Sequence, residues 1–114
     1  MTVLAVRFRV DFGAEAVGPG KIALLEHIAR DGSLSQAART LGMSYRRGWQ
    51  LLASLNACFV EPVVVSVKGG RGGGGSVLTS FGRRLVRTYR EFDADVQRRA
   101  ARRFAPLRAG PRRT

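Results

Sequence analysis

Two arginines and a glutamine, Arg46, Arg47 and Gln50, have the side chains in this sequence best suited to specific recognition chemistry. The guanidinium fork of arginine can donate two hydrogen bonds to O6 and N7 of guanine, and Gln50 is a third candidate for contact with base edges. Both contacts require that the side chains lie on the exposed front of an element that fits the DNA major groove. We therefore expect these three residues to read base edges if the surrounding segment forms such an element.

The segment from Ser33 to Asn56 has the pattern of two short helices joined by a glycine turn. Ser33 and Gln36 form a capping box, Gly42 can end the first helix in a left-handed conformation, and Ser44 can cap a second helix that runs to Asn56. The residues predicted to face the core are Leu34, Ala37, Ala38 and Leu41 in the first helix, and Tyr45, Trp49, Leu52 and Leu55 or Leu51 in the second. This pattern predicts a helix-turn-helix, whose second helix can enter the major groove. An ordinary helical hairpin with solvated arginines is the alternative.

A glycine-rich stretch from Gly69 to Gly75 separates two β-prone segments, Val63–Val67 and Val77–Leu78. It could be a flexible linker, but the domain is too small to be divided, so a hairpin loop is favoured. After a helix-turn-helix such a hairpin is a wing, whose glycines would let the backbone approach phosphates while Lys68 and Arg71 supply charge. A nucleotide phosphate loop is excluded because no Gly-Lys-Ser/Thr and helix follow the glycines.

Hydroxyl groups at the starts of the two helices are expected to hold the DNA backbone. The predicted backbone or minor-groove contacts are Ser33, Ser35, Ser44 and Tyr45 from the helix starts and Lys68 and Arg71 from the wing. Tyr45 could equally pack into the core, and Trp49 is expected to do so.

The composition favours a folded protein with a polyanionic partner. The chain has 114 residues, 45% of them hydrophobic, with a formal net charge of +12. Nucleic acid is the first candidate partner and an anionic membrane surface the second. Seven arginines and no acid lie between Arg98 and Thr114, which leaves 13 basic and 8 acidic residues in the rest of the chain. The tail would therefore add affinity without specificity.

The order of elements predicts a mainly α member of the α+β class: a winged helix-turn-helix with an N-terminal strand, a two-stranded wing and a long C-terminal dimerisation helix. The strand is predicted over Thr2–Phe12 from its alternation, and a first helix over Lys21–Arg30. Thr79 is predicted to cap the last helix, which ends at Pro106; one domain then spans 1–105 and a basic flexible tail 106–114. The distal apolar stripe of this helix predicts a homodimer interface made by Phe92, Val96, Ala100 and Phe104. Coverage of the stripe within the same chain is the alternative.

Catalysis, metals and membranes are not indicated. One cysteine and one histidine cannot supply a structural zinc site, and no nucleophile motif or paired-carboxylate signature is present. No apolar run approaches 18 residues and no signal peptide is visible, so we expect a cytoplasmic protein that is not an enzyme and has neither cofactor nor membrane contact.

Several literal motifs resemble the N-terminal DNA-binding domain of ModE-type molybdate-responsive regulators, a winged helix related to the LysR-type one. They are Pro-Gly-Lys-Ile-Ala-Leu-Leu-Glu-His-Ile (19–28), Gly-Ser-Leu-Ser-Gln-Ala-Ala (32–38), Met-Ser-Tyr-Arg-Arg-Gly-Trp (43–49), the glycine-rich 69–75 and Leu-Thr-Ser-Phe-Gly (78–82). The resemblance covers about Val3 to Val96. It implies a dimeric transcription factor that binds double-stranded DNA, with dimer contacts in the N-terminal strand region and the last helix.

The resemblance also sets what we do not expect of this chain. Full-length members carry C-terminal barrel domains that bind molybdate or tungstate, and this sequence resembles the single-domain members, so we expect no molybdate binding here. Control of molybdenum-related genes is the function that could be inherited. Two alternatives are a nucleoid-type protein that binds nucleic acid without specificity, and a protein-interaction winged helix that pairs with a separate sensor.

Overall fold

The computed structural model describes residues 4–68 and 75–108, which form four helices and two antiparallel hairpins. In chain order these elements are β1 (Val10–Phe12), β2 (Glu15–Val17), α1 (Pro19–Asp31), α2 (Leu34–Thr40), α3 (Tyr45–Cys58), β3 (Val64–Val67), β4 (Gly75–Leu78) and α4 (Ser80–Arg108). Strand β1 pairs with β2, and β3 pairs with β4. The mainly α fold class predicted from the sequence is confirmed.

Helix α1 lies at the centre of the hydrophobic core. Ile22, Leu24, Leu25 and Ile28 have no exposed surface, whereas Ala29, which was predicted to face inward, is exposed. Pro19 occupies the first turn, where its missing amide costs no hydrogen bond. The helix ends at Gly32, which has a φ of 77° and donates its amide to the carbonyl of Ile28 at 2.8 Å.

Helices α2 and α3 have the caps that the sequence predicts. The Ser33 hydroxyl accepts a hydrogen bond from the amide of Gln36, and the Ser44 hydroxyl accepts one from the amide of Arg47, each at 3.0 Å. Gly42 has a φ of 74° and turns the chain between the two helices. The predicted helix-turn-helix geometry is therefore present.

The buried face of α3 differs from the predicted one. Gly48 and Leu55 are buried, whereas Tyr45 and Trp49, which were predicted to face the core, are 58% and 56% exposed. The physical reason is the close packing of α2 on α3 at Gly48. A Cβ at position 48 would lie 3.2 Å from the Cβ of Ala38 and 3.3 Å from Cδ1 of Leu34. Because the helix touches α2 with a glycine, the neighbouring indole points away from the core.

The N-terminal segment is not the single strand that was predicted over Thr2–Phe12. Residues 4–9 form no ladder, and only Val10–Phe12 is a strand, paired with Glu15–Val17 across a tight turn at Gly13, whose φ is 81°. The alternation of the segment still has a cause, since it packs along α4. The Gln97 side chain bonds both the amide and the carbonyl of Val6, at 2.9 and 2.8 Å, and the ring of Phe8 stacks on Tyr89.

The second hairpin confirms the two β-prone segments with small shifts in their ends. Val64 pairs with Leu78 and Val67 with Gly75. The chain that joins the strands, residues 69–74, lies outside the described residues. The hairpin approaches α1 closely, because the amide of Ser76 donates to the carbonyl of Gly32 at 2.9 Å.

Helix α4 begins after Thr79, as predicted, and runs to Arg108. The Thr79 hydroxyl accepts from the amide of Gly82 at 2.9 Å and donates to the carbonyl of Pro62 at 2.8 Å. The helix does not end at Pro106, since a proline in the last turn removes only one intrahelical bond. Its 29 residues give a length of about 43 Å, most of the 61 Å long axis of the protein.

Candidate nucleic-acid interface

The exposed side of α3 presents the three residues predicted to read bases. Arg46, Arg47 and Gln50 are all exposed, and no carboxylate pairs with either arginine among the described residues. Free guanidinium groups on an outward helix face can donate to an incoming ligand without first breaking an ion pair.

One side of α3 faces the β3–β4 hairpin across a cleft of about 320 Å³. Its lining contains the predicted backbone-binding groups Ser33, Ser35, Tyr45 and Lys68, joined by Ser66 and Ser76. The Ser33 hydroxyl uses one acceptor position for its helix cap, so its O–H group is still available to donate to an anion. Four of the six residues predicted to contact the backbone therefore line one cleft. Ser44 lies outside it, exposed at the α3 cap, and Arg71 lies outside the described residues.

The other side of α3 faces the β1–β2 hairpin, which sequence reasoning did not place at this surface. A second cleft of about 730 Å³ is lined by Arg9, Asp11, Lys21 and Arg47 among others. Nε of Arg9 lies 3.6 Å from Oδ1 of Asp11, so these two side chains form an ion pair. Arg47 thus stands on the side of α3 away from Lys68, beside a second basic residue. The tight turn at Gly13 was the sequence signal for this hairpin.

A polar network fixes the β1–β2 hairpin against α3. Lys21 of α1 is largely buried and donates to the Ala16 carbonyl and to the Ser54 hydroxyl, each at 2.6 Å. The Ser54 hydroxyl donates in turn to Glu15 at 2.7 Å. These bonds join one residue from α1, one from α3 and two from β2, beside the cleft that Arg9 and Arg47 both line. Burial raises the pKa of the neighbouring Cys58 thiol, whose Sγ donates to the Ser54 carbonyl.

The charge of this part of the sequence is strongly one-sided. Between Asp31 and Glu91 the only acid is Glu61, against nine basic residues: Arg39, Arg46, Arg47, Lys68, Arg71, Arg83, Arg84, Arg87 and Arg90. Nε and Nη2 of Arg90 donate to the carboxylate of Glu26 in α1, at 2.8 and 2.6 Å. This hydrogen bonding raises the pKa of Arg90 and lowers that of Glu26. The helix-turn-helix itself, residues 33–58, carries no acid, so its surface attracts anions.

The residues predicted to form a dimer interface lie along α4 with different degrees of exposure. Phe92 and Phe104 are each 51% exposed, Val96 is half-buried, and Ala100 is already buried within the chain. Phe8 covers one edge of Phe92. An apolar cleft of about 320 Å³ continues this surface toward β1; it is lined by Val10, Phe12, Val17, Leu85, Thr88, Tyr89 and Phe92.

Neither a metal site nor a membrane-spanning helix is found in the parts of the chain that the structure describes. Within residues 4–68 and 75–108, no three histidine, cysteine or acidic side chains converge as a metal site would require. In the same two ranges, no helix combines the length and the apolar character needed to cross a membrane.

The capped α2–α3 pair, the β3–β4 hairpin that follows it and the basic outward face of α3 define a winged helix-turn-helix protein. No family model matches the chain. Among known proteins it is 43% identical over 82 residues to the molybdenum transport protein ModE of Azotobacter vinelandii, and 42% identical over 82 residues to the DNA-binding transcriptional dual regulator ModE of Escherichia coli K12. It is also 41% identical over 80 residues to the molybdenum-pterin-binding protein MopB of Rhodobacter capsulatus.

These matches cover 72%, 72% and 70% of this chain but 30%, 31% and 30% of the three relatives, so the chain spans about a third of their length. The matched segment is homologous to the N-terminal DNA-binding domain of ModE-type regulators. The resemblance noted from the sequence is confirmed.

Proposed function

We propose that this protein is a regulator of transcription, not an enzyme, that binds double-stranded DNA in a sequence-specific way as a homodimer. Helix α3 enters the major groove with Arg46, Arg47 and Gln50 toward base edges. The β3–β4 hairpin contacts the backbone or the minor groove. The genes it controls are related to molybdenum, as the names of the relatives suggest.

The observation that carries this proposal is the joint exposure of Arg46, Arg47 and Gln50 on a helix whose start is capped and whose flank holds Ser33, Ser35 and Lys68. Specific binding needs both kinds of contact, because phosphate contacts fix the register and base contacts select the sequence. Exposed side chains suited to each kind of contact lie on α3 and on its flank, which supports the proposal. A protein that coated nucleic acid by charge alone would have no need for this arrangement.

Homodimer formation is supported by the apolar surface of α4. Phe92 and Phe104 expose half of their surface, and Leu107 exposes three quarters, on a helix that extends beyond the core. Aromatic side chains bury large apolar areas and are enriched at interfaces. A dimer would present two copies of α3, and we expect two DNA half-sites about 10 base pairs, or a multiple of this, apart.

The test is a comparison of two alanine variants on three nucleic acids at one fixed salt concentration. A binding site is first selected from random duplexes, and affinities are then measured for that site, a scrambled duplex and a double-stranded RNA. Arg47→Ala should weaken binding to the selected site about 5- to 150-fold, with a much smaller loss on the scrambled duplex. Lys68→Ala should weaken binding to both duplexes alike and lower the slope of affinity against salt by about 1.

Arg102→Ala is the matched control, since it removes the same charge from an exposed position on α4. Equal losses on the selected and scrambled duplexes for Arg47→Ala would remove this residue from base readout. Failure of the wild-type chain to prefer any duplex over RNA would favour the non-specific alternative. A stable dimer that binds no duplex at low salt would favour a protein-interaction role.

A further inference from the structure

Tyr45 and Trp49 form an exposed aromatic pair on α3, and the proposed readout by Arg46, Arg47 and Gln50 does not use it. The two residues are four positions apart, so they lie on the same face of the helix about one turn from each other. Each exposes more than half of its surface, and Trp49 is the only tryptophan of the chain. Neither ring stacks on another aromatic ring within the described residues.

The packing of the core keeps this pair outside. Because Gly48 contacts Ala38 and Leu34, the rotation of α3 about its axis is fixed with the indole of Trp49 outward. Large aromatic side chains are intermediate to buried in most folded proteins, and burying one is strongly favourable. Covering the exposed pair with a ligand is therefore favourable, because it removes apolar surface from water.

The charge around the pair selects the kind of ligand. Arg46 follows Tyr45 directly in the sequence, Lys68 lines the same cleft as Tyr45, and residues 33–58 contain no acid. A second copy of the chain docked through the same face about a two-fold axis would bring these cations against their own counterparts. A duplex groove instead offers phosphates for the cations and one apolar group at base level, the 5-methyl group of thymine.

We propose that the Tyr45–Trp49 pair reads thymine, with the indole of Trp49 packed against a thymine 5-methyl group in the major groove and Tyr45 placed toward the backbone on the β3–β4 side. This inference rests on the proposed function, because it requires α3 to lie in the groove. It adds an apolar contribution to specificity beside the hydrogen bonds of the arginines. The selected site therefore contains a thymine that is read by its methyl group.

The test removes that methyl group without changing the base pair. Each thymine of the selected duplex is replaced in turn by deoxyuridine, which keeps the hydrogen-bonding groups, and the affinity is measured with fluorescently labelled DNA. The wild-type protein should lose about fourfold in affinity at one or two positions per half-site, the effect of withdrawing one methyl group from an apolar contact. In Trp49→Ala the same replacement should have no effect at one of these positions. Trp49→Phe, which keeps an aromatic ring, should retain part of the sensitivity.

Because Trp49 exposes more than half of its surface, Trp49→Ala should remain folded at the temperature of the binding assay, and a thermal melt checks this separation of readout from folding. Ala53→Ser, an exposed position one turn further along α3, is the matched control and should leave the thymine sensitivity unchanged. The inference is overturned if no thymine is sensitive to loss of its methyl group, or if Trp49→Ala keeps the full sensitivity, while the protein still prefers its site. Absence of any sequence preference would overturn the proposed function as well.

Discussion

Among the glycines of the described residues, Gly82, in the first turn of α4, leaves the least room for a side chain. A Cβ there would lie 2.1 Å from the carbonyl oxygen and 3.0 Å from the carbonyl carbon of Val63, the residue before β3. Both atoms belong to the backbone, so no side-chain rotation can relieve the overlap. The same carbonyl accepts the amide of Thr79 at 3.0 Å, and this hydrogen bond ties the end of the β3–β4 hairpin to the start of α4. We expect Gly82→Ala to force these two backbone segments apart.

The destabilisation expected for Gly82→Ala is the sum of opposing contributions to the free energy of unfolding. Overpacking a tight contact costs about 1–3 kcal/mol, and loss of the Thr79–Val63 hydrogen bond costs about 1 kcal/mol. Replacing glycine by alanine in a helix returns up to about 1 kcal/mol. The net destabilisation is therefore about 1–3 kcal/mol, or a fall in Tm of about 4–12 °C for a domain of this size. Urea denaturation followed by circular dichroism, at one fixed protein concentration, measures it.

Gly20→Ala supplies the matched control. Gly20 also lies in the first turn of a helix, α1, but nothing lies within 4 Å of a Cβ built there. This variant should be as stable as the wild type or more stable by up to about 1 kcal/mol. If Gly82→Ala matched Gly20→Ala in stability, the close approach of α4 to Val63 could not be the reason for the glycine.

Two further predictions concern α4. The proposed dimer predicts that the double variant Phe92→Glu and Phe104→Glu is monomeric in analytical ultracentrifugation at concentrations where the wild type is dimeric, because unpaired carboxylates would be buried in the interface. An unchanged mass would contradict the proposed α4 dimer. The hydrogen bond from Arg90 lowers the pKa of Glu26. The pair therefore stabilises the fold fully at pH values above 4.5, the ordinary carboxyl pKa, and this stabilisation is lost as the pH falls through the lowered pKa. Glu26→Gln should remove this contribution, so the difference in the free energy of unfolding between pH 7 and a pH below 4, measured by urea titration, should become smaller. The change should be less than about 1 kcal/mol, because both side chains are more than a third exposed. An identical pH dependence in the variant would refute this role.

The features that sequence reasoning predicted correctly depend on local physics. The caps at Ser33, Ser44 and Thr79 and the turn at Gly42 involve groups within four residues of one another, so residue type alone specifies them. The apolar spacing also located the four helices to within a few residues. The exposure of the arginines on α3 was predicted in the same way, because Arg46 and Arg47 fall between the apolar positions of that helix.

The features that sequence reasoning missed depend on contacts between segments far apart in the chain. The alternation of residues 4–9 suggested a strand, but its partner is the side of α4, and the Val6–Gln97 hydrogen bonds join residues 91 positions apart. The outward orientation of Trp49 depends on the contact of Gly48 with Ala38, which only the packing of α2 on α3 reveals. The glycine beside Trp49 in the sequence was the signal for this orientation. When a helix packs against another through a glycine, the residue next to that glycine lies away from the contact.

The placement of α3 between two hairpins changes how its residues should be grouped. Tyr45 lies toward β3–β4 with Ser33 and Lys68, whereas Arg47 lies toward β1–β2 with Arg9. A duplex seated on α3 would thus have hydroxyl and aromatic groups on one flank and guanidinium groups on the other. The Lys21–Ser54–Glu15 network fixes the β1–β2 hairpin against α3, beside the cleft that Arg9 and Arg47 both line. In the proposed complex with DNA, the β1–β2 and β3–β4 hairpins would therefore flank α3 with different chemistry.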